Sequence, residues 1–138
     1  MKIDSKELTS QYRLAKRTAI EAGDYLLSRK DENLIVHSDL GRDIKLEIDR
    51  ETEQLIRNRL SITGISILGE ELGSDKIQSQ LKWIVDPLDG TSNYFRGLDQ
   101  CCVSIALMDG EEVLVGSIFN FNTNELFSAI KGGGAFLN

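Results

Sequence analysis

Hydrophobic positions in the first part of the chain recur at the spacing of an α-helix. Between residues 5 and about 30 they form one stripe: Leu8, Tyr12, Ala15, Ala19, Ala22 and Leu26. Spacings of three and four residues predict an amphipathic helix that buries this stripe. Asp4, followed three residues later by Glu7, predicts a capping box at the helix N-terminus.

A second helix is predicted from about Ile44 to Ile62, with Gly64 as its stop signal. Its apolar face would consist of Ile48, Thr52, Leu55, Ile56 and Leu60. Residues 31–43, between the two helices, predict an extended segment and a loop. A solvated helix face is the simplest interpretation of the acidic side chains nearby, which are Asp43, Glu47, Asp49 and Glu53.

After residue 64 the pattern changes to short β-rich runs separated by turn residues. The runs are ISIL, KWIVD, CCVSIALM, EVLVGSIF and ELFSAI. Asp109-Gly110 lies between two of them and is a strong hairpin signal. Two helices followed by a meander of strands predict an α+β fold, in which the two N-terminal helices pack on a mostly antiparallel sheet.

Composition and charge narrow the class of protein. A chain of 138 residues, 41% hydrophobic and 28% charged, is expected to form one globular domain. A net charge of -6 argues against nucleic acid or an anionic membrane as the main partner, although local cations can still bind a small anion. No apolar run reaches the length of a membrane span, and the N-terminus lacks a signal-peptide pattern. Adjacent Cys101 and Cys102, the only cysteines, favour reduced thiols in a cytoplasmic protein.

Carboxylates follow two of the predicted strands. Glu70 and Glu71 come after ISILG, and Asp86 and Asp89 come after KWIV. Because strand ends meet at a sheet edge, these side chains could converge. Converging carboxylates repel one another and have raised pKa values unless a cation lies between them, which favours magnesium, calcium or manganese. Zinc is disfavoured because His37 is the only histidine.

The turn that contains the two aspartates suits a metal site. Pro87 fixes its own φ and favours an extended Asp86. Asp86 and Asp89 are three residues apart, so a tight turn can aim both at one point, and the carbonyl of Leu88 could add a further oxygen ligand. Asp-Pro-x-Asp-Gly is also ordinary turn chemistry, so spacing alone leaves a plain turn open.

The residues after this turn could bind an anion. Gly90 permits an unusual φ or a close approach of another backbone. If a helix begins at Thr91, the amides of Gly90, Thr91 and Ser92 form an anion site. A metal site beside an anion site is what phosphoryl chemistry requires.

Two motifs give the chain a specific resemblance. GEE at 69–71 and WIVDPLDGTSNY at 83–94 closely resemble the signature of the inositol monophosphatase family, which consists of magnesium-dependent, lithium-sensitive phosphomonoesterases. SIALMDGEEVLVGSIFN and ELFSAIKGGGAFLN resemble the next strands and the Gly-rich segment of that family. The resemblance covers nearly the whole chain and implies the N-terminal half of the layered sugar-phosphatase fold.

The resemblance also implies a metal centre. Two or three Mg²⁺ ions are expected. Glu70, Asp86 and the Leu88 carbonyl would hold the first ion, and Asp86 and Asp89 would hold a second.

Catalytic and substrate-binding roles follow from the same resemblance. Glu70 and Thr91 would position the nucleophilic water, with Asp49 assisting through Thr91. The amides of Gly90 and Thr91, next to Ser92, would bind the phosphate. The attack on phosphorus is expected to be in line, without a covalent phosphoenzyme, and family members suggest a homodimer.

Two features depart from the family pattern. DIKLEID stands at 43–49 where the family often has Val-Thr-x-x-Asp, and family members are about twice as long. Residues 1–138 are therefore expected to be a single N-terminal phosphatase domain without the C-terminal half, which carries a further aspartate ligand of the second metal.

The sequence leaves several functions open. Ser92 stands where nucleotidase and histidinol-phosphatase types usually have lysine, which favours an inositol or sugar phosphate as substrate. A bisphosphate nucleotidase or a fructose-1,6-bisphosphatase is an alternative. A non-catalytic half-domain that binds metal or phosphate is a second alternative, and a plain α+β domain with acidic turns is a third.

Overall fold

Three helices and nine strands make up the secondary structure of the described part of the chain. The computed structural model describes residues 2–30, 36–40, 43–76 and 79–138. The helices are α1 (Ser5–Ser28), α2 (Glu47–Leu60) and α3 (Thr91–Phe95), with a 3-10 turn at Ser61–Thr63. The strands are β1 (Val36–Leu40), β2 (Asp43–Leu46), β3 (Ser66–Gly69), β4 (Gly73–Ser74), β5 (Leu81–Asp89), β6 (Cys102–Asp109), β7 (Glu112–Asn120), β8 (Glu125–Ile130) and β9 (Gly134–Leu137). Part of the predicted extended segment and loop, 31–35 and 41–42, lies outside the described residues.

A seven-stranded sheet forms the centre of the molecule, with the strand order β4-β3-β5-β6-β7-β8-β9. Only β3 and β5 pair in parallel, and every other neighbouring pair in this sheet is antiparallel. Helix α1 packs on β6, β7 and β8, and α2 packs on β5 and against α1. The predicted α+β fold, with two helices on a mostly antiparallel sheet, is confirmed.

Helix α1 begins where the sequence predicts. The Glu7 amide donates to Asp4 Oδ1 at 2.8 Å, so Asp4 is the N-cap. The buried face is wider than the predicted stripe because it also includes Gln11, Leu14, Thr18 and Gly23.

Helix α2 begins three residues later than predicted. The sequence prediction placed Ile44 in the helix, but residues 43–46 form strand β2, which pairs with β1. Leu46 is still extended, with φ -112° and ψ 152°, and its amide donates to Asp49 Oδ2 at 2.8 Å. Asp49 is the third residue of the helix, and its side chain accepts the backbone amide of the N-cap residue, Leu46. The acidic member of a capping box makes the same contact.

The interpretation of the acidic residues of α2 as a solvated face was wrong for two of them. Asp49 and Glu53 are both 0% exposed. They are four residues apart and therefore lie on the same face of the helix, directed into the protein. Both reach loops near the end of the sheet, as described below.

Two polar contacts tie the core to the segments around it. Trp83 is fully buried on β5, and its indole nitrogen donates to Thr63 Oγ1 at 3.2 Å. The Tyr94 hydroxyl of α3 donates to the Leu26 carbonyl of α1 at 2.8 Å. Because Tyr94 is also buried, this contact fixes the short helix that follows the Asp-Pro turn.

The sheet face opposite the helices is apolar and exposed. Val115, Ser117 and Phe119 of β7 are buried, so Ile118 points to the other face. The strand register places Ile118 beside Phe127, and Phe127 beside Leu137. These three side chains are 45%, 46% and 54% exposed. Scattered exposed apolar residues are normal, but a row across three strands is a surface that another layer could cover.

The described helices do not have the character of membrane spans. None of those in residues 2–30, 36–40, 43–76 and 79–138 is long and apolar enough to cross a membrane.

Close packing of α1 on β7 at Gly23 generates a stability prediction. A Cβ at Gly23 would lie 2.3 Å from Cδ2 of the buried Phe119 ring. Gly23→Ala gains about 1 kcal/mol of helix propensity but overpacks the core, which costs about 1–3 kcal/mol. We expect a net loss in the free energy of unfolding, measured by urea denaturation.

A control and a second background sharpen this prediction. Asp24→Ala, at the exposed next position, gains helix propensity without a clash and should raise stability by less than about 1 kcal/mol. The loss caused by Gly23→Ala should shrink in a Phe119→Leu background, because the ring atoms that clash are absent. A Gly23→Ala protein more stable than wild type would contradict this account of the packing.

Candidate active site

Parallel pairing of β3 and β5 brings the two acidic motifs together. Gly69 at the end of β3 pairs with Val85 of β5, so Glu70 follows one strand end and Asp86 lies beside the other. The Glu70 amide donates to the Val85 carbonyl at 3.2 Å, which extends the pairing by one residue. The side chains of Glu70 and Asp86 are in hydrogen-bonding contact. The predicted convergence of the two motifs is therefore present.

A bulge in β5 separates the two aspartates. Asp86 pairs with Ser104 and Asp89 pairs with Cys102, and the register shifts between these pairs. Pro87 lies within the shift, where the ladder does not require an amide donor. The Leu88 amide donates to Asp86 Oδ1 at 3.2 Å, which closes the turn.

Burial and like charge raise the pKa of Asp86 to about 8. Burial is the largest cause, followed by the hydrogen bond to Glu70 and by the negative charges of Glu70 and Asp89. The Leu88 amide acts in the opposite direction. A proton or a cation must therefore accompany Asp86 at neutral pH, and a hard divalent cation satisfies both carboxylates at once.

The donor set of this cluster is partial. In the stretches 2–30, 36–40, 43–76 and 79–138, no three His, Cys, Asp or Glu side chains are grouped closely enough to form a ready metal site. Oxygen donors from Glu70, Asp86 and Asp89 suit Mg²⁺, which commonly takes one or two carboxylates and keeps several waters. The contact of Glu70 with Asp86 at adjoining strand ends, with the charge of Asp89 close by, is the feature of this structure that fits a cation there.

Thr91 links the turn to helix α2. Its Oγ1 lies 3.2 Å from Asp49 Oδ1 and 3.0 Å from the Leu88 carbonyl oxygen. Asp49 Oδ2 accepts the Leu46 amide, so the carboxylate of Asp49 is held at both oxygens. A hydroxyl that donates its single proton to Asp49 or Leu88 keeps its lone pairs for another donor. The Leu88 carbonyl likewise keeps one lone pair.

Gly90 allows the turn to pass into helix α3. Its φ of 89° and ψ of 39° lie in the left-handed region. A Cβ there would lie 2.7 Å from the Gln100 carbonyl oxygen, so both the unusual φ and the close approach predicted for Gly90 are confirmed. Helix α3 begins at Thr91, and Ser92 is its second residue. The amides of Gly90, Thr91 and Ser92 thus stand at the start of this one-turn helix.

Cys102 belongs to this region, although no sequence pattern indicated that it would. Its Sγ lies 4.0 Å from Asp89 Oδ2, across the β5–β6 pair. Burial, followed by the charge of Asp89, raises the pKa of the Cys102 thiol to about 11, so the thiol stays protonated at neutral pH. Both cysteines are free, as predicted.

An open groove of about 470 Å³ adjoins the carboxylates. Its lining includes Asp89, Gly90, Asn93, Gln100, Cys102 and Asn120. The Asn93 side chain donates to the Gln100 carbonyl at 2.6 Å, which fixes one wall. The groove offers amide and carboxylate groups next to the Asp-Pro turn.

Glu53 is the polar residue of this region that the sequence prediction missed most clearly. Its carboxylate accepts the amides of Glu71 and Leu72, each at 2.8 Å, in the loop that carries Glu70. Arg57 lies one turn further along α2, and its Nε donates to Glu53 at 3.1 Å. The four-residue spacing of Asp49 and Glu53 was the one signal in the sequence, and these two residues were assigned to a solvated face instead.

Known proteins resemble this chain in both sequence and fold. It is 40% identical over 126 residues to a Nus factor SuhB from Xylella fastidiosa, and the match covers 88% of this chain and 46% of that protein. It is 35% identical over 130 residues to an inositol-1-monophosphatase from Bacillus subtilis, covering 91% and 49% of the two chains. The crystal structure of the extragenic suppressor protein suhB from Bartonella henselae superposes with a TM-score of 0.88 at 36% identity, covering 94% and 52%.

The extent of these matches defines the relationship. The chain spans about half the length of the curated relatives that it matches. The sequence model of the inositol monophosphatase family matches residues 7–138. That match covers nearly the whole chain, and it includes both acidic motifs and the strands that carry them. The chain therefore belongs to the inositol monophosphatase family.

Proposed function

We propose that this chain is the N-terminal, catalytic half of a magnesium-dependent phosphomonoesterase that acts on an inositol or sugar phosphate. The observation that carries the proposal is the contact of Glu70 with Asp86 at adjoining strand ends, beside the Thr91–Asp49 pair. Membership of the inositol monophosphatase family supports the reaction class. Ser92, in place of a lysine, supports the substrate class.

Four residues would hold the metal. Two or three Mg²⁺ ions would take oxygen ligands from the carboxylates of Glu70, Asp86 and Asp89 and from the carbonyl of Leu88. The chemistry that bound Mg²⁺ supplies is Lewis-acid activation of water and neutralisation of phosphate charge. The raised pKa of Asp86 supports this assignment, because a cation would replace the proton that the cluster otherwise needs.

Thr91 and Glu70 would position the attacking water. Thr91 Oγ1 donates its proton towards Asp49 Oδ1 or the Leu88 carbonyl, so its lone pairs can accept a hydrogen bond from water. The carboxylate of Glu70 would accept the water proton. The water oxygen would then form a bond to phosphorus in line with the ester oxygen while the P–O ester bond breaks, and the leaving alkoxide would take up a proton from solvent to become the alcohol.

The substrate would lie across the start of α3. The amides of Gly90, Thr91 and Ser92 would bind the phosphate, while the adjoining groove would receive the hydroxyl-bearing part of the ester. The groove carries the amide side chains of Asn93 and Asn120 beside the apolar side chains of Ile118 and Phe127, so it could contact both the hydroxyls and the carbon skeleton of a polyol.

Location and assembly complete the proposal. The acidic net charge and two free thiols favour a cytoplasmic enzyme that acts on small phosphorylated substrates rather than on nucleic acid. Family resemblance favours a homodimer.

A second candidate function is a non-catalytic half-domain that binds metal or phosphate. The specific observation behind it is the exposed apolar row of Ile118, Phe127 and Leu137, together with the partial donor set among the described residues. Such a module would bind Mg²⁺ and inorganic phosphate without turning over an ester. A related nucleotidase or fructose-1,6-bisphosphatase would use the same reaction on another phosphate ester. Comparing phosphate release from a bisphosphate nucleotide, fructose 1,6-bisphosphate and myo-inositol 1-phosphate tests these specificities.

Phosphate release distinguishes these functions. A full-length protein that has this chain as its N-terminal half should release phosphate from myo-inositol 1-phosphate only with Mg²⁺, and lithium should inhibit the release. Asp86→Asn should lower kcat/KM by about 100-fold or more, because the proposed metal loses a charged ligand. Glu112→Gln, an exposed carboxylate on β7 that pairs with Lys131, is the matched control and should leave the rate unchanged.

The remaining outcomes assign the chain to another function. Calorimetric binding of Mg²⁺ and phosphate without any turnover would select the half-domain. Absence of both binding and turnover, with the fold intact by circular dichroism, would rule out both candidates.

Charge repulsion at Asp86 generates a separate stability prediction. Its folded-state pKa of about 8 lies above the ordinary value of 3.8, so the folded protein holds this proton more tightly than the unfolded chain. The contribution of Asp86 to stability therefore falls as pH rises from about 4 to 8. Without metal at pH 8, the free energy of unfolding of Asp86→Asn should exceed that of wild type by on the order of 1 kcal/mol after allowance for solvent screening. Urea denaturation measures this difference.

Two comparisons test the cause of this effect. The advantage of Asp86→Asn should vanish near pH 3, where the carboxyl is protonated in the folded state and largely so in the unfolded state. Added Mg²⁺ should stabilise wild type and leave the variant nearly unchanged. An Asp86→Asn protein less stable than wild type at pH 8 without metal would show that the contacts of the Asp86 carboxylate outweigh the repulsion.

A further inference from the structure

Glu53 is a buried carboxylate that the proposed reaction does not use. It is 0% exposed, and its two oxygens accept different backbone amides: Glu71 donates to Oε1 and Leu72 to Oε2, both at 2.8 Å. The two donors are consecutive residues of the loop between β3 and β4, and the residue before them is Glu70. A carboxylate that accepts two backbone amides makes strong, directional contacts, because the acceptor is charged.

The carboxylate of Glu53 also occupies the space beside Gly69. A Cβ on Gly69 would lie 2.4 Å from Glu53 Cδ and 2.4 Å from its Oε1. The end of β3 thus lies directly on this carboxylate, without room for a side chain. Gly69 lets the loop come close enough for its amides to reach Glu53.

Arg57 contacts Glu53 and also the chain at the C-terminal end of the same loop. Its Nε donates to Glu53 Oε2 at 3.1 Å, and its terminal nitrogens donate to Asp75 Oδ1 at 2.9 Å and to the Gly73 carbonyl. The guanidinium balances the buried charge of Glu53. It also connects α2 to β4 and to the residue that follows it, so the loop is held at both ends.

We infer that Glu53 is a positioning residue for Glu70: it fixes the loop that carries Glu70 so that the carboxylate of Glu70 meets Asp86. The inference rests on the proposed function, in which Glu70 is a metal ligand. On one side, the Glu70 amide is held by the Val85 carbonyl of β5. On the other side, the next two amides are held by Glu53 of α2. Glu70 therefore stands between two fixed points, and its side chain is directed at the neighbouring strand end.

A residue that orients a metal ligand affects metal affinity without contacting the ion. Replacing such a residue typically changes metal affinity by about 10–100-fold. Glu53→Gln keeps one carbonyl oxygen but turns an NH₂ group towards the second amide and loses the ion pair with Arg57. Gly69→Ala perturbs the same contact from the other side, since its Cβ displaces the carboxylate.

The test measures the loop and the metal separately on the intact 138-residue chain. Amide hydrogen exchange by NMR, without metal, reports on the amides of Glu71 and Leu72. Calorimetric titration with Mg²⁺ alone reports on the proposed ligands. Ile56→Val, another fully buried substitution on α2, is the control for a general loss of stability.

We expect the Glu71 and Leu72 amides to be protected in wild type. In Glu53→Gln and Gly69→Ala they should exchange about tenfold faster or more, and Mg²⁺ affinity should fall by about tenfold. Ile56→Val should change neither the exchange of these two amides nor the Mg²⁺ affinity. This selective pattern is one that a merely structural role for Glu53 does not produce.

Other outcomes overturn the inference. If the Glu71 and Leu72 amides exchange without protection in wild type, the inference is wrong. This measurement needs no variant, so it decides the question even if Glu53→Gln does not fold. Wild-type Mg²⁺ affinity in a folded Glu53→Gln protein would also overturn the inference. If wild type itself bound no Mg²⁺, the proposed function would fall, while exchange at the two amides would still decide whether Glu53 holds the loop.

Discussion

Mutual repulsion between carboxylates is the constraint around which this end of the molecule is organised. Glu70 and Asp86 touch because β3 and β5 run in parallel, and Asp89 adds a third negative charge. The raised pKa of Asp86 expresses the cost of this arrangement. Groups that repel one another stay together only when the backbone on either side is held by contacts that do not involve them. The rest of the site can be understood as that set of contacts.

Helix α2 supplies most of those contacts through two buried acids one turn apart. Asp49 binds the Leu46 amide and the Thr91 hydroxyl, while Glu53 binds the amides of Glu71 and Leu72. One helix face thus reaches both loops that carry the proposed ligands. A buried charge contributes little net stability compared with an apolar side chain of the same size. The geometric constraint that Asp49 and Glu53 impose is therefore a better reason for their presence than stability is.

Much of the fold and the site could be predicted from local patterns, and the exceptions share one cause. Apolar spacing predicted α1 and the sheet, and the conformation of Gly90 followed from its place after the Asp-Pro turn. By contrast, the predicted start of α2 was wrong because residues 43–46 pair with β1, the strand that precedes them in the chain, and apolar spacing within one segment does not show which segment it pairs with. Glu53 was assigned to solvent because a helical pattern identifies a face but not what covers it. Its partners lie 18 and 19 residues further along the chain.

The carboxylate cluster of Glu70, Asp86 and Asp89 and the exposed apolar row share one face of the sheet. Asp86 pairs with Ser104, Ser104 with Ile118, and Ile118 with Phe127, so one line of outward side chains runs from the carboxylates to the apolar surface. The groove beside the turn is also lined by Ile118 and Phe127. A layer that covered this row and extended across β6 to the carboxylates would also remove water from Asp86. Because desolvation is already the largest cause of its raised pKa, such coverage would strengthen the demand for a cation at Asp86.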